Sequence, residues 1–159
     1  MVTNIYIDSV LREIRGFRGT FSSNNAPKLK NMQSAILNFS KYGEEGTHFI
    51  AVVNYKNKCL YFDLLCIKEV FIPYEIKKYL KKYNNVLNVS KKIQNNNSEF
   101  CGFFCMLFIT SLAISKKYLF SILSKFKNDS EKNDALCVIH LKKSINKYFK
   151  KPLKTRWKN

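Results

Sequence analysis

Two histidines, His48 and His140, and five cysteines, Cys59, Cys66, Cys101, Cys105 and Cys137, are the side chains with nucleophilic or acid–base potential near neutral pH. Cys101 is the most unusually placed. It stands where the polar string QNNNSEF meets the apolar run CGFFCMLFITSLAI. A thiol at that junction is either a buried cysteine opening a core helix, the ordinary case, or a nucleophile at a helix N-terminus. There, unpaired N–H groups and the helix dipole favour the thiolate. His48 follows a Gly-Thr pair at the start of an apolar stretch, and Asp63 lies inside LYFDLL. A lone carboxylate in an apolar strand is costly unless something pairs with it. An acid-oriented imidazole is the base a cysteine nucleophile needs. Gln94, seven residues before Cys101, carries an amide able to donate to an oxyanion beside the Cys101 backbone N–H. Gly102 is expected to let a substrate backbone approach closely. Each residue also has a bland reading: Asp63 paired with a lysine, Gln94 a loop residue, His48 an edge-strand histidine. His140 reads as a helix residue on a partly buried face.

The elements needed to assemble these groups can be read from the chain. IYIDSVLREIRG predicts a short helix ending near Gly16, and FRGTFSSNNAP a loop. KLKNMQSAILNFSKY predicts a helix, with Leu29, Met32, Ile36, Leu37 and Phe39 apolar and Gly43 as its stop. THFIAVVNY (47–55) and KCLYFDLLC (58–66) predict two strands joined by Lys56 and Asn57 as a hairpin. That hairpin would bring His48 and Asp63 to one end. PYEIKKYLKKY (73–83) reads as a helix and VLNVSKKI (86–93) as a third strand. Asn97 or Ser98 is the expected N-cap of an apolar helix over 100–114. YLFSILSKF and DALCVIHLKKSINKYF give two more helices before the basic tail KKPLKTRWKN. The expected class is α+β, with an antiparallel-rich central sheet packed between N- and C-terminal helices, in one domain over 1–159.

The chain has 28 Lys+Arg against 11 Asp+Glu, a formal net charge of +17. From Lys116 onward there are 13 basic and 3 acidic residues. Such one-sided charge attracts polyanions, and non-specific DNA binding is expected. Lys142, Lys143, Lys147, Lys150, Lys151, Lys154, Arg156 and Lys158 are the densest candidates; the bland alternative is a solubilising surface. An odd cysteine count points to reduced thiols in an intracellular setting. Cys101-x₃-Cys105 and Cys137-x₂-His140 are weak as zinc motifs, and no metal is expected. Asp8, Arg12 and Glu13 stand where the apolar core of a signal peptide would be. The 15-residue run FCGFFCMLFITSLAI, interrupted by Gly102, is short for a membrane span.

Beyond spacing, GTHFIAVV, NKCLYFDLL and QNNNSEFCGFFC resemble the histidine, acid and Gln…Cys-Gly-x-Phe-Cys segments of the adenovirus-type cysteine proteases (adenain), which group with the SUMO-protease-like cysteine peptidases. RGTF and SAILNFSKYGEEG resemble that family's N-terminal Gly-Thr-aromatic turn and the Ala-Ile-x-Asn helix before the histidine. The resemblance covers residues 10–115. It implies an adenain-like, papain-related fold, a triad of Cys101, His48 and Asp63, and an oxyanion site made by Gln94 and the Cys101 N–H. It differs at Phe49, where a tryptophan is usual, with correspondingly weaker stacking expected on the imidazolium. Asp63 replaces the glutamate of adenoviral members, and the strand after it reads LLC where they have Pro and Gly. The stretch 83–93 lacks the cysteine that links their activator peptide.

The resemblance further implies a viral maturation endopeptidase that cleaves capsid and core precursor proteins in the host nucleus, viral factory or virion. It implies no cofactor for the chemistry, DNA as an activating cofactor, and a viral activating peptide as a partner. The alternatives are a deubiquitinase or SUMO-like isopeptidase, or a catalytically idle basic nucleic-acid-binding virion protein.

Overall fold

The computed structural model describes residues 2–89, 91–128 and 131–150. The chain runs α1 (Asn4–Leu11), β1 (Phe17–Ser22), β2 (Gln33–Asn38), β3 (Phe49–Tyr55), β4 (Lys58–Phe62), a 3₁₀ turn (Glu69–Phe71), α2 (Tyr74–Leu80), β5 (Val86–Asn88), α3 (Cys101–Ile114), α4 (Lys116–Leu123) and α5 (Lys132–Lys150). This is an α+β protein with one five-stranded sheet in the order β1-β2-β3-β4-β5. The sheet is mixed. Its inner pairings, β2–β3 and β3–β4, are antiparallel, and its outer ones, β1–β2 and β4–β5, are parallel.

Both faces of the sheet are covered. Ile36, Ala51, Val53 and Phe62 face a core shared with α1, α3, α4 and α5. Ala35, Leu37, Ile50, Val52 and Tyr61 face a second core closed by α2 and by Ala26 and Leu29. The N- and C-terminal helices therefore share one face instead of sandwiching the sheet. Two-sided burial also explains why 33–38 is a strand and not the expected helix. A strand covered on both faces is apolar at successive positions, and in SAIL the 3–4 spacing of a helix cannot be told from that run. Met32, with φ 62°, turns the chain into β2.

The expected loop at 17–27 contains β1. Gly16, at φ 86°, packs its Cα against the Met32 carbonyl, where a Cβ would not fit, and its own carbonyl accepts from Ser34 N at 2.9 Å. The third strand shortens to Val86–Asn88. The first helix stops at Leu11, and Ile14 N and Phe17 N then bond three residues back in tight turns. The hairpin forms as expected. Lys56 and Asn57 both have positive φ, 50° and 62°, the backbone of a two-residue turn that matches strand twist.

The helix from Cys101 to Ile114 lies deep in the larger core, where Phe108 stacks on Phe62 at 3.8 Å between ring centroids. Among the described residues no helix is long and apolar enough to cross a membrane.

Candidate active site

His48 stands one residue ahead of β3, and Asp63 one residue beyond β4. The ladder pairs Ala51 with Phe62, so both side chains emerge at the same end of the hairpin. His48 Nε2 and Asp63 Oδ1 are 3.0 Å apart. The carboxylate is only 1% exposed and is satisfied on all sides. Leu65 N donates to Oδ1 and Ile67 N to Oδ2, each at 3.0 Å. Asp63 thus folds its own turn and anchors the imidazole, which is how a carboxylate is tolerated there.

With Nε2 engaged by Asp63, Nδ1 is the ring nitrogen left for another partner, and the Cys101 side chain is near enough to help raise the His48 pKa. Burial by itself would lower the imidazole pKa. Interactions with Asp63 and Cys101, including the charges of both, outweigh it and lift His48 from 6.5 to about 9. The ring is therefore cationic at neutral pH, flanked by two groups able to carry negative charge. Phe39 packs edge-on against it, 4.9 Å between centroids. This aromatic neighbour comes from the segment misread as helix. Phe49, the residue expected to stack on the imidazole, is instead 3% exposed in the core, where its carbonyl accepts from the Cys105 thiol at 3.4 Å.

Cys101 is the first residue of α3. Neither Asn97 nor Ser98 caps that helix. Phe100 occupies the N-cap position and offers no side-chain bond, which leaves first-turn N–H groups to meet an incoming oxygen. Ser98 is used differently: its hydroxyl accepts from Phe100 N at 3.2 Å and donates to Asp134 at 2.8 Å. Gly102 does not open a path for substrate. A Cβ there would meet Val2, Ile7 and Phe49, so the glycine lets the N-terminal segment pack against α3.

Gln94 is 1% exposed. Its backbone N donates to Leu64 O at 3.1 Å, next to Asp63, and its Nε2 donates to Ser98 O at 2.9 Å, shortly before Cys101. A side-chain amide has two N–H bonds, of which the Ser98 carbonyl takes one. Two residues of α5 hold this segment in place. Asn133 Nδ2 donates to Ile93 O at 2.8 Å and to Lys127 O at 2.6 Å, while Asp134 receives Ser98. Burial raises the Asp134 carboxyl pKa, and the Ser98 hydrogen bond partly opposes it. Asp134 opens the expected helix DALCVIHLKKSINKYF, and nothing near it in the chain marks it or Asn133 for this contact.

The other thiols sit in different surroundings. Burial pushes Cys59 up to about 12 and Cys105 and Cys137 well above the usual range. His140 lies apart on α5, 5.8 Å from the Phe126 ring, and burial with nearby Lys125 and Lys143 lowers it. Among the described residues no group of three or more His, Cys, Asp and Glu side chains is arranged to hold a metal. Of the basic candidates, Lys142, Lys143, Lys147 and Lys150 are exposed along α5, with Lys147 Nζ 4.2 Å from the Tyr118 ring centroid. Lys151, Lys154, Arg156 and Lys158 lie outside the described residues.

The arrangement supplies a thiol at a helix start, a protonated imidazole beside it, a carboxylate behind that, and a buried amide close by in the chain. No protein-family model matches this sequence, and no curated protein matches it.

Proposed function

We propose that this chain is a cysteine endopeptidase with adenain-type machinery on a papain-related fold, and that it matures viral particles by cutting capsid and core precursor proteins. The observation that carries the reading is the buried His48, held at 3.0 Å by Asp63, with its pKa raised by both Asp63 and Cys101. A histidine serving only the core has no need of both an acid and a thiol at a helix N-terminus.

In the reactive state the Cys101 proton already resides on His48, as the cationic ring implies, and the thiolate attacks the scissile carbonyl carbon. The oxyanion is received by the Cys101 N–H and the other N–H of Gln94. The carbon–nitrogen bond then breaks as His48 hands its proton to the departing amine. Water, deprotonated by His48, hydrolyses the thioester and restores the thiol. Asp63 keeps the ring oriented and stabilises its charged form throughout. The lysines along α5 hold the enzyme on DNA, which acts as a cofactor by gathering enzyme and DNA-bound precursors on one polymer. A viral peptide activator, if used, binds without a disulfide in the stretch 83–93, which has no cysteine.

The test is cleavage profiling of the purified protein on maturation-type peptides, beside a diglycine-tail probe for isopeptidase activity. Cys101→Ala is expected to abolish cleavage and to remove the thiol that iodoacetamide labels fastest at neutral pH. Cleavage that persists in Cys101→Ala ends the proposal.

A further inference from the structure

The larger core is not filled to its edge. Between the sheet and the α3–α4 pair lies a cleft of about 290 Å³. Leu60 of β4, Leu87 of β5 and Val89 just beyond it form one wall, and Leu112 of α3 with Leu119 and Phe120 of α4 form the other. Phe108, the ring that stacks on Phe62, also lines it. Leu87 and Phe120 are 42% and 52% exposed although large and apolar. Covering such surface is what an apolar ligand gains there. The cleft sits at the turn end of the hairpin, beside Tyr55, Lys56 and Lys58, while His48 and Asp63 emerge at the opposite end of the same strands. It is therefore separate from the candidate active site.

The solvent edge of the cleft carries charge of one sign. Lys56, Lys58 and Lys116 line it and are exposed, and no carboxylate lines it. Lys56 Nζ lies 5.8 Å from the centroid of the Tyr55 ring, and Lys116 Nζ 5.7 Å from that of Phe120. Two of the ammonium groups thus rest on rings of the cleft itself, within cation–π range. Among the described residues none of the three lysines is ion-paired to a carboxylate. Cations from the hairpin turn and from the start of α4, far apart in the chain, meet at one mouth of an apolar slot. Gathered without a counter-charge they repel one another, and an anion between them relieves that.

We propose that this cleft binds a single-chain fatty-acid carboxylate, its alkyl tail between the sheet and α3–α4 and its carboxylate received by Lys56, Lys58 and Lys116. Each half of the ligand answers one half of the site. A peptide would bring backbone amides against walls whose inner side chains are Leu, Val and Phe, and a buried amide without a partner is costly. Nucleic acid offers no apolar limb. At about 290 Å³ the cleft falls at the small end of ligand pockets, which run from about 300 to 1,000 Å³. That suits one alkyl chain and not the pair carried by a membrane phospholipid. The site stands whether or not Cys101 cleaves peptides.

The experiment is calorimetric titration of the purified full chain with octanoate, decanoate and dodecanoate, each below its critical micelle concentration. Binding of a single molecule per chain is expected, tightening about fourfold per added methylene while the tail stays inside the cleft. Dodecanol, the same chain without the charge, is expected to bind about tenfold more weakly than dodecanoate, each exposed ammonium contributing a few-fold. The Lys58→Gln, Lys116→Gln double variant is expected to bring dodecanoate most of the way to dodecanol. Leu87→Trp, which fills the mouth from an exposed strand position, is expected to abolish binding of both. No binding of any of the three carboxylates overturns the proposal. Dodecanoate binding that neither variant moves also overturns it, since that is adsorption on the basic surface at large. Binding of anionic phospholipid vesicles, or of a Glu-rich peptide, with none of monomeric dodecanoate overturns it as well, because the patch is then a membrane or protein contact.

Discussion

Replacing Asp63 with asparagine keeps the shape of the side chain and removes its charge. Asp63 supplies both a hydrogen bond and a charge that raise His48, against burial, from 6.5 to about 9. That lift corresponds to about 3 kcal/mol in favour of the imidazolium, at ~1.36 kcal/mol per tenfold change in protonation. An opposite charge at this range is worth about one to three pKa units, and burial remains when it is gone. In the proposed mechanism the thiolate–imidazolium pair is lost when His48 deprotonates, so the alkaline limb of kcat/KM in the wild type is expected near pH 9. In Asp63→Asn it is expected to move down by about one to three pH units.

Stability carries the same signature. The folded pKa of His48 lies above its unfolded value, so its contribution is fully present below pH 6.5 and is lost as pH rises through about 9. Denaturant unfolding of the wild type should therefore lose about 3 kcal/mol from this group across that window, and the variant much less. The assay pairs a pH–rate profile on a quenched peptide with unfolding midpoints at pH 6 and pH 9.5. An alkaline limb that stays in place in Asp63→Asn refutes the role given to the carboxylate.

Gln94→Ala removes one of the two proposed oxyanion donors and is expected to cost about 10²–10³ in turnover with little change in KM; an unchanged rate takes Gln94 out of the mechanism. Asn133→Ala leaves the Ile93 and Lys127 carbonyls without their donor, costing about 1–3 kcal/mol of stability. Because that loop carries Gln94, turnover should also fall, by less than in Gln94→Ala, as read by chemical denaturation beside steady-state kinetics. Binding to labelled duplex DNA, followed by fluorescence anisotropy, is expected to be sequence-independent and to weaken steeply between 50 and 200 mM salt, roughly in proportion to the phosphates neutralised. Affinity that does not change with salt would remove the lysines of α5 from this role.

The hairpin was legible because its information is local. Two β-rich runs flank Lys56-Asn57, and a two-residue turn fixes their register, so the meeting of His48 with Asp63 could be anticipated from the chain. The start of α3 at Cys101 was legible in the same way, from the abrupt change from polar loop to apolar run. What the sequence could not decide were matters of what lies across a gap. Whether SAIL is helix or strand depends on both faces of β2 being covered, by α2 on one side and α3 on the other, and neither cover is near it in sequence. Gly102 looked like room for a substrate because its neighbours in the chain are its only neighbours in a sequence; in the fold Val2, Ile7 and Phe49 fill that space. Phe39 reaches the His48 ring, and Asn133 and Asp134 hold the Gln94 segment from the far end of the chain. Residue types and spacing thus determined which groups could do chemistry. Packing between distant segments decided which neighbours orient them, because side-chain contacts of that range carry no periodicity for a sequence to display.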